Sequence, residues 1–173
     1  MSNQSVVNVI RSQYSLMQGW FEGTLAGVTD ELAHFDPPGT VTPIGAQAAH
    51  VVTGLDFFLL GVAAGKQPLL MGSFADKSGV SEPPPAGGEW SEWAARVKID
   101  LPALDAYSKA VFSEIDGYLA SISDEDLQQE KEFGPAGNQT ILWALNILIL
   151  NTFSHTGEIS AIKGMQGLKG YPQ

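Results

Sequence analysis

Two histidines, His50 and His155, lie far apart in the chain, each on an apolar stripe of a segment that reads as a helix. Asn151 stands one helical turn before His155, and Glu158 one turn after it. Imidazoles on facing helices can share a divalent metal, and an open position on that metal activates a bound nucleophile. Glu158 can then act as a third ligand or as the group that orients a ligating imidazole. Asn151 offers only a neutral carbonyl oxygen, a weaker donor to zinc or nickel than imidazole or carboxylate. The same four residues can instead form a metal-free hydrogen-bond network, because an unpaired buried polar group costs roughly 1–3 kcal/mol. Residue type and spacing leave both arrangements open.

Four helical segments must position these groups. In the first, Val6, Ile10, Tyr14, Met17, Phe21 and Leu25 recur at three- and four-residue steps. The second is predicted to open with Thr42 as N-cap and Pro43 as first helical residue, and to run past His50 to about Ala64, before Gly65. His50 shares its stripe with Ala46, Gly54, Phe57 and Gly61, and Asp56 falls off that stripe, toward solvent. The third begins near Ser91 and carries Trp93, Val97, Leu101, Leu104, Val111 and Ile115, with Pro102 expected to kink or split it. The fourth runs from Thr140 to Gly164 and places Ala144, Leu148, Asn151, His155, Glu158 and Ile162 on one inward stripe.

No strand is predicted. A Gly/Pro/Ser-rich stretch, about 65–90, links helices two and three, long enough to cross the molecule as a linker or to cover a pocket. Thr29-Asp30-Glu31-Leu32 and Ser123-Asp124-Glu125-Asp126-Leu127 each read as a capped single turn. The fold class expected is all-α, one domain over residues 1–173.

The chain is 44% hydrophobic, enough for one core, and carries a formal charge of −10. That charge repels phosphate backbones and anionic leaflets, so nucleic acid and membrane are poor partners. With no cysteine there is no disulfide, thiolate ligand or cysteine nucleophile, and any reactive sulfur must arrive with a substrate. The first residues lack the basic start and apolar core of a signal peptide. The apolar run from Ile141 to Leu150 is interrupted by Asn146 and too short to span a bilayer, so a cytoplasmic protein is expected. His34 is predicted to be a solvent-facing loop residue, and Trp20, Trp90, Trp93 and Trp143 to line core and pocket walls.

Taken together, these features resemble the DinB/YfiT-like metalloenzymes, four-helix bundles in up-down-down-up order. The likeness rests on Thr42-Pro43-Ile44-Gly45, His50-Val51, Asp56 and Leu59 in helix two. In helix four it rests on Asn151-Thr152-Phe153-Ser154-His155-Thr156-Gly157-Glu158-Ile159, where members carry His-x-x-x-His-x-Gly-Glu/Gln, and on the ending Gly167-Leu168-Lys169-Gly170-Tyr171-Pro172. It covers nearly the whole chain. The resemblance implies that His50 and His155 are two of three metal ligands, with Asn151 in place of the third histidine. Zinc, nickel or iron would then be held weakly or not at all. It also implies a metal-dependent enzyme, transferase or hydrolase-like, most concretely one transferring a low-molecular-weight thiol to a small-molecule substrate, and a homodimer. The alternative is a metal-free, non-catalytic bundle that binds a small ligand or serves as a dimeric scaffold.

Overall fold

The structure, a computed structural model, describes residues 5–85 and 90–172, so positions 86–89 of the long connection lie outside it. Six helices account for most of the described chain. Helix α1 (Val6–Leu25) buries Val7, Ile10, Tyr14, Met17, Phe21 and Thr24, so the buried stripe leaves Val6 outside. Its N-terminus is capped from a distance. The Asp124 carboxylate accepts the N–H groups of Val6 and Val7 at 3.0 and 2.9 Å, satisfying donors that the helix itself cannot. The acidic run at 124–126 thus tethers the turn after the third long helix to the start of the first.

Short helix α2 (Asp30–Ala33) is capped by the Thr29 hydroxyl, as its sequence predicts. Helix α3 (Ile44–Gly54) continues as a π-helix over Leu55–Ala63. Its N-cap is Pro43, one residue later than expected, because the Gln47 side chain takes the Thr42 carbonyl (2.8 Å) and holds that residue outside the helix. The third predicted helix is split into α4 (Trp90–Arg96) and α5 (Leu101–Ser121). Pro102 sits in the first turn of α5, where its missing N–H costs nothing, and Asp100 caps that turn. The residues between α4 and α5 are extended, with Ile99 bridging Val80 of the long connection. Gly79 there is irreplaceable: φ is +78°, and a Cβ would collide with backbone atoms of Asp100 and Leu104.

Two short strands contradict the strand-free expectation. β1 (Glu130–Glu132) pairs antiparallel with β2 (Asn138–Thr140) around the turn Gly134–Ala136. Three polar residues a side carry no alternation that periodicity could register. Helix α6 (Ile141–Met165) follows directly, its first turn capped by the Thr140 hydroxyl.

Helix α1 packs against α5 and α6, and α3 packs against the same two. One continuous core of buried residues joins all four. The segment Ile44–Ala63 is long and apolar enough to cross a membrane by length and composition, and 67% of it is buried inside the protein. The apolar stretch that matters is therefore α3 and its extension, and its burial accounts for its composition.

Candidate functional site

The seam between α3 and α6 brings His50 and His155 together. Their ring centroids lie 4.9 Å apart, nearly edge to face. The Trp90 ring packs against His50 at 4.5 Å and stacks in turn on buried Trp93. Both imidazoles are half-buried, on the rim of the core and not at its centre. Burial, and secondarily the neighbouring His155, hold the His50 pKa down to about 4, so its ring is neutral at pH 7.

Gln47, fully buried on α3, was missed by the sequence reading and fixes the chemistry of His155. The Thr42 carbonyl can only accept, so the Gln47 NH2 faces it and Oε1 points the other way. Gln47 Oε1 lies 3.2 Å from His155 Nδ1, and Glu158 Oε2 lies 3.2 Å from the same nitrogen. Two acceptors on Nδ1 place the proton there and leave Nε2 as the basic nitrogen. A signal for Gln47 existed: it falls between Ile44 and Val51 on a stripe otherwise apolar.

Glu158 does not point inward as the stripe predicts. It is exposed and reaches back to His155 along its own helix. The buried stripe of α6 runs through Ala144, Leu145, Leu148, Thr152, Thr156 and Ile159, so Asn151, His155 and Glu158 sit on its edge. Asn151 is half-buried and lines, with His50, a cavity of about 300 Å³. Its other walls include Phe58, Phe133, Trp143 and Ile147, and the Phe133 and Trp143 rings meet at 6.1 Å. Apart from His50 and Asn151, the lining is apolar.

These donors do not make up a metal site of ordinary strength. Among the described residues no three His, Cys, Asp or Glu side chains cluster. Glu158 is engaged with His155 Nδ1, and Asn151 supplies a neutral amide. Two imidazoles remain, one short of the three protein ligands usual for a catalytic zinc.

Two other polar residues turn out to be structural. Asp56, predicted to face solvent, is completely buried. It accepts from Leu69 N and Leu70 N at 2.8 Å each and from the Tyr107 hydroxyl at 2.6 Å. The true core face of α3 and its π-helical extension runs through Ala49, Val52, Asp56, Leu59 and Ala63, not through His50, which is why the stripe misplaced it. His34, expected in solvent, instead bridges two backbones: its Nδ1 donates to the Asp30 carbonyl at 2.8 Å and its Nε2 accepts from Ile99 N at 3.1 Å. Trp93 is core, and Trp143 is pocket wall, as expected.

With this geometry in hand, comparison with known proteins is informative about fold. The family described as the DinB superfamily matches residues 13–159. A solved structure described as a conserved protein from Enterococcus faecalis aligns with a TM-score of 0.79 at 20% identity, covering 92% of this chain and 96% of that one. No curated protein matches the chain.

Proposed function

We propose, from the premise that this chain belongs to the DinB superfamily, that it binds a small, mainly apolar molecule at the seam of α3 and α6 without a resident metal. In this reading the four long helices form a four-helix bundle in up-down-down-up order, with the long connection crossing between α3 and α5. The observation that carries the reading is the cavity of about 300 Å³, apolar except at one end, where His50 and Asn151 stand together. An apolar body fits among Phe58, Phe133 and Trp143, while a single hydroxyl or carbonyl meets the neutral imidazole and the amide. A charged head is disfavoured, since His50 stays uncharged and the lining offers no compensating ion.

Calorimetric titration of metal-stripped protein with 4-ethylphenol tests this. Saturable binding that weakens at least tenfold in Asn151→Leu and in His50→Phe is expected. Absence of binding, or equal affinity in all three proteins, overturns the reading.

A second reading keeps the metal-dependent enzyme, with thiol transfer its most concrete form. It is favoured by one observation, the acceptor pair on His155 Nδ1 that leaves Nε2 free, which is how a ligating imidazole is usually oriented. His50, His155 and Asn151 would hold the ion, which would acidify an incoming thiol. Near-stoichiometric zinc, nickel or iron in untagged protein would favour it, and Asn151→His should then raise metal affinity at least tenfold.

We also propose that a second copy covers the outer face of α1 and α6. Leu16 and Leu150 are 60% and 62% exposed there, beside Trp20, Ile147 and Phe153. Leu150→Glu should convert a dimer to a monomer by light scattering, whereas a monomeric wild type would remove the proposal.

A further inference from the structure

A second cavity, of about 350 Å³, lies between the C-terminal half of α1, the middle of α3 and the start of α5. Its floor is Phe21, Val52 and Leu104, all buried, and Ser108 of α5 lines it one turn beyond Leu104. Ser108 is 5% exposed, and its hydroxyl oxygen, shut off from solvent in this rotamer, has no hydrogen-bond partner in the protein.

Other helical hydroxyls do bond back to their own helix: Thr53 to the Ala49 carbonyl at 2.7 Å, Thr156 to Thr152 at 2.7 Å, and Ser154 to Leu150 at 2.9 Å. Ser108 does not take the Leu104 carbonyl that its position offers. Thr24 also lacks a partner, but Ser108 is the one that lines this cavity. A buried hydroxyl left unpaired carries the cost of its lost hydration, and a bound hydrogen-bonding group removes that cost.

The mouth narrows the choice of ligand. Glu22 and Asp105 stand there with a single cation, Lys109, whose ammonium is taken by Asp105 at 2.6 Å. Two carboxylates against one engaged ammonium repel anions, and the apolar floor excludes a charged head from the depth. We propose that this cavity is a binding site for a short, neutral aliphatic alcohol or carbonyl compound, whose oxygen pairs with the Ser108 hydroxyl as that side chain turns from its closed rotamer into the cavity, while its chain lies on Phe21, Val52 and Leu104. The site is separate from the imidazole seam, shares no residue with that cavity, and stands whether or not the seam binds anything.

The test uses the full chain labelled with 13C at methyl groups, with 1-hexanol as probe and hexanoate as its charged counterpart. Expected are intermolecular NOEs from 1-hexanol to the methyls of Val52, Leu25 and Leu104, at least fivefold weaker binding in Ser108→Ala, and no comparable binding of hexanoate. Ser108→Ala keeps the cavity and removes only the hydroxyl, so it should fold at least as stably as the wild type. If it nonetheless misfolds, Ser108→Cys, close in size but a poorer hydrogen-bonding group, should show the same loss of affinity. NOEs confined to Ile147 and Leu148, equal affinity without the hydroxyl, equal binding of hexanoate, or no binding would each overturn the proposal.

Discussion

Two polar clusters lie only six positions apart, one on α3 and one on its π-helical extension, and they have opposite characters. The Asp56 cluster is closed. Its carboxylate is inaccessible and saturated by two backbone N–H groups and a tyrosine hydroxyl. Burial first, and then that bond, push the Tyr107 hydroxyl pKa upward, so the phenol keeps its proton and donates it. The imidazole cluster is open. His155 is oriented through Nδ1 alone, His50 is neutral, and both border a cavity with Asn151. Polar residues saturated by protein hold elements together; polar residues left with capacity beside a cavity are available to a ligand. Asp56 staples the beginning of the long connection to α3 and α5. His50 and Asn151 are the groups with something left to offer.

Breaking each cluster should therefore give opposite results. Asp56→Ala strands two backbone donors and a phenol in the core, and should cost about 3 kcal/mol or more in urea unfolding. His50→Phe keeps an aromatic ring against Trp90 and should leave stability within about 1 kcal/mol while weakening ligand binding at least tenfold. A stability loss at His50 equal to that at Asp56 would erase the distinction.

Acid sharpens the contrast. An unfolded histidine takes up its proton near pH 6.5, whereas folded His50 does so only near 4. Between those values the unfolded chain binds more protons, so stability is complete above about 6.5 and falls as pH drops toward 4. Allowing for partial exposure, the loss should be about 2 kcal/mol. His50→Phe should flatten that part of the profile, and a wild-type profile flat from 7 to 4 would contradict the buried neutral ring. The lowered pKa values of Asp116, Asp124 and Asp126 take stability away only as pH falls below about 5, so the contribution of His50 is read between about 6.5 and 5.

Smaller effects refine the picture. Tyr107→Phe removes one of three bonds to Asp56 and should cost about 1–2 kcal/mol by the same unfolding measurement. Asn151→Leu should change stability by less than about 0.5 kcal/mol, since the amide is only half-buried. Its consequence should appear in ligand affinity alone.

Most of the fold could be read from periodicity and punctuation. The stripe of α1, the threonine caps at Thr29 and Thr140, and the break at Pro102 all followed from local rules. The pairing of His50 with His155 was also legible, because both share faces with small and apolar neighbours. What failed was depth. A 100° projection says which residues share a face but not whether that face meets the centre of the core or its rim. Asp56 was therefore placed outside and Glu158 inside, the reverse of what the structure has. The π-helical turn at Leu55–Ala63 and the three-residue strands leave no comparable mark in sequence. Gln47 was readable in principle, as an amide on an apolar stripe, but its role depends on a helix more than a hundred residues away, which no local pattern reports.

The most direct test follows the imidazole nitrogens of His50 by 15N NMR, across pH and then with 4-ethylphenol at pH 7. A ring that stays neutral down to about pH 4 and shifts on adding the phenol is the result predicted. A ring that titrates near 6.5, or one the phenol leaves unmoved, would contradict a neutral group poised at the edge of a ligand cavity.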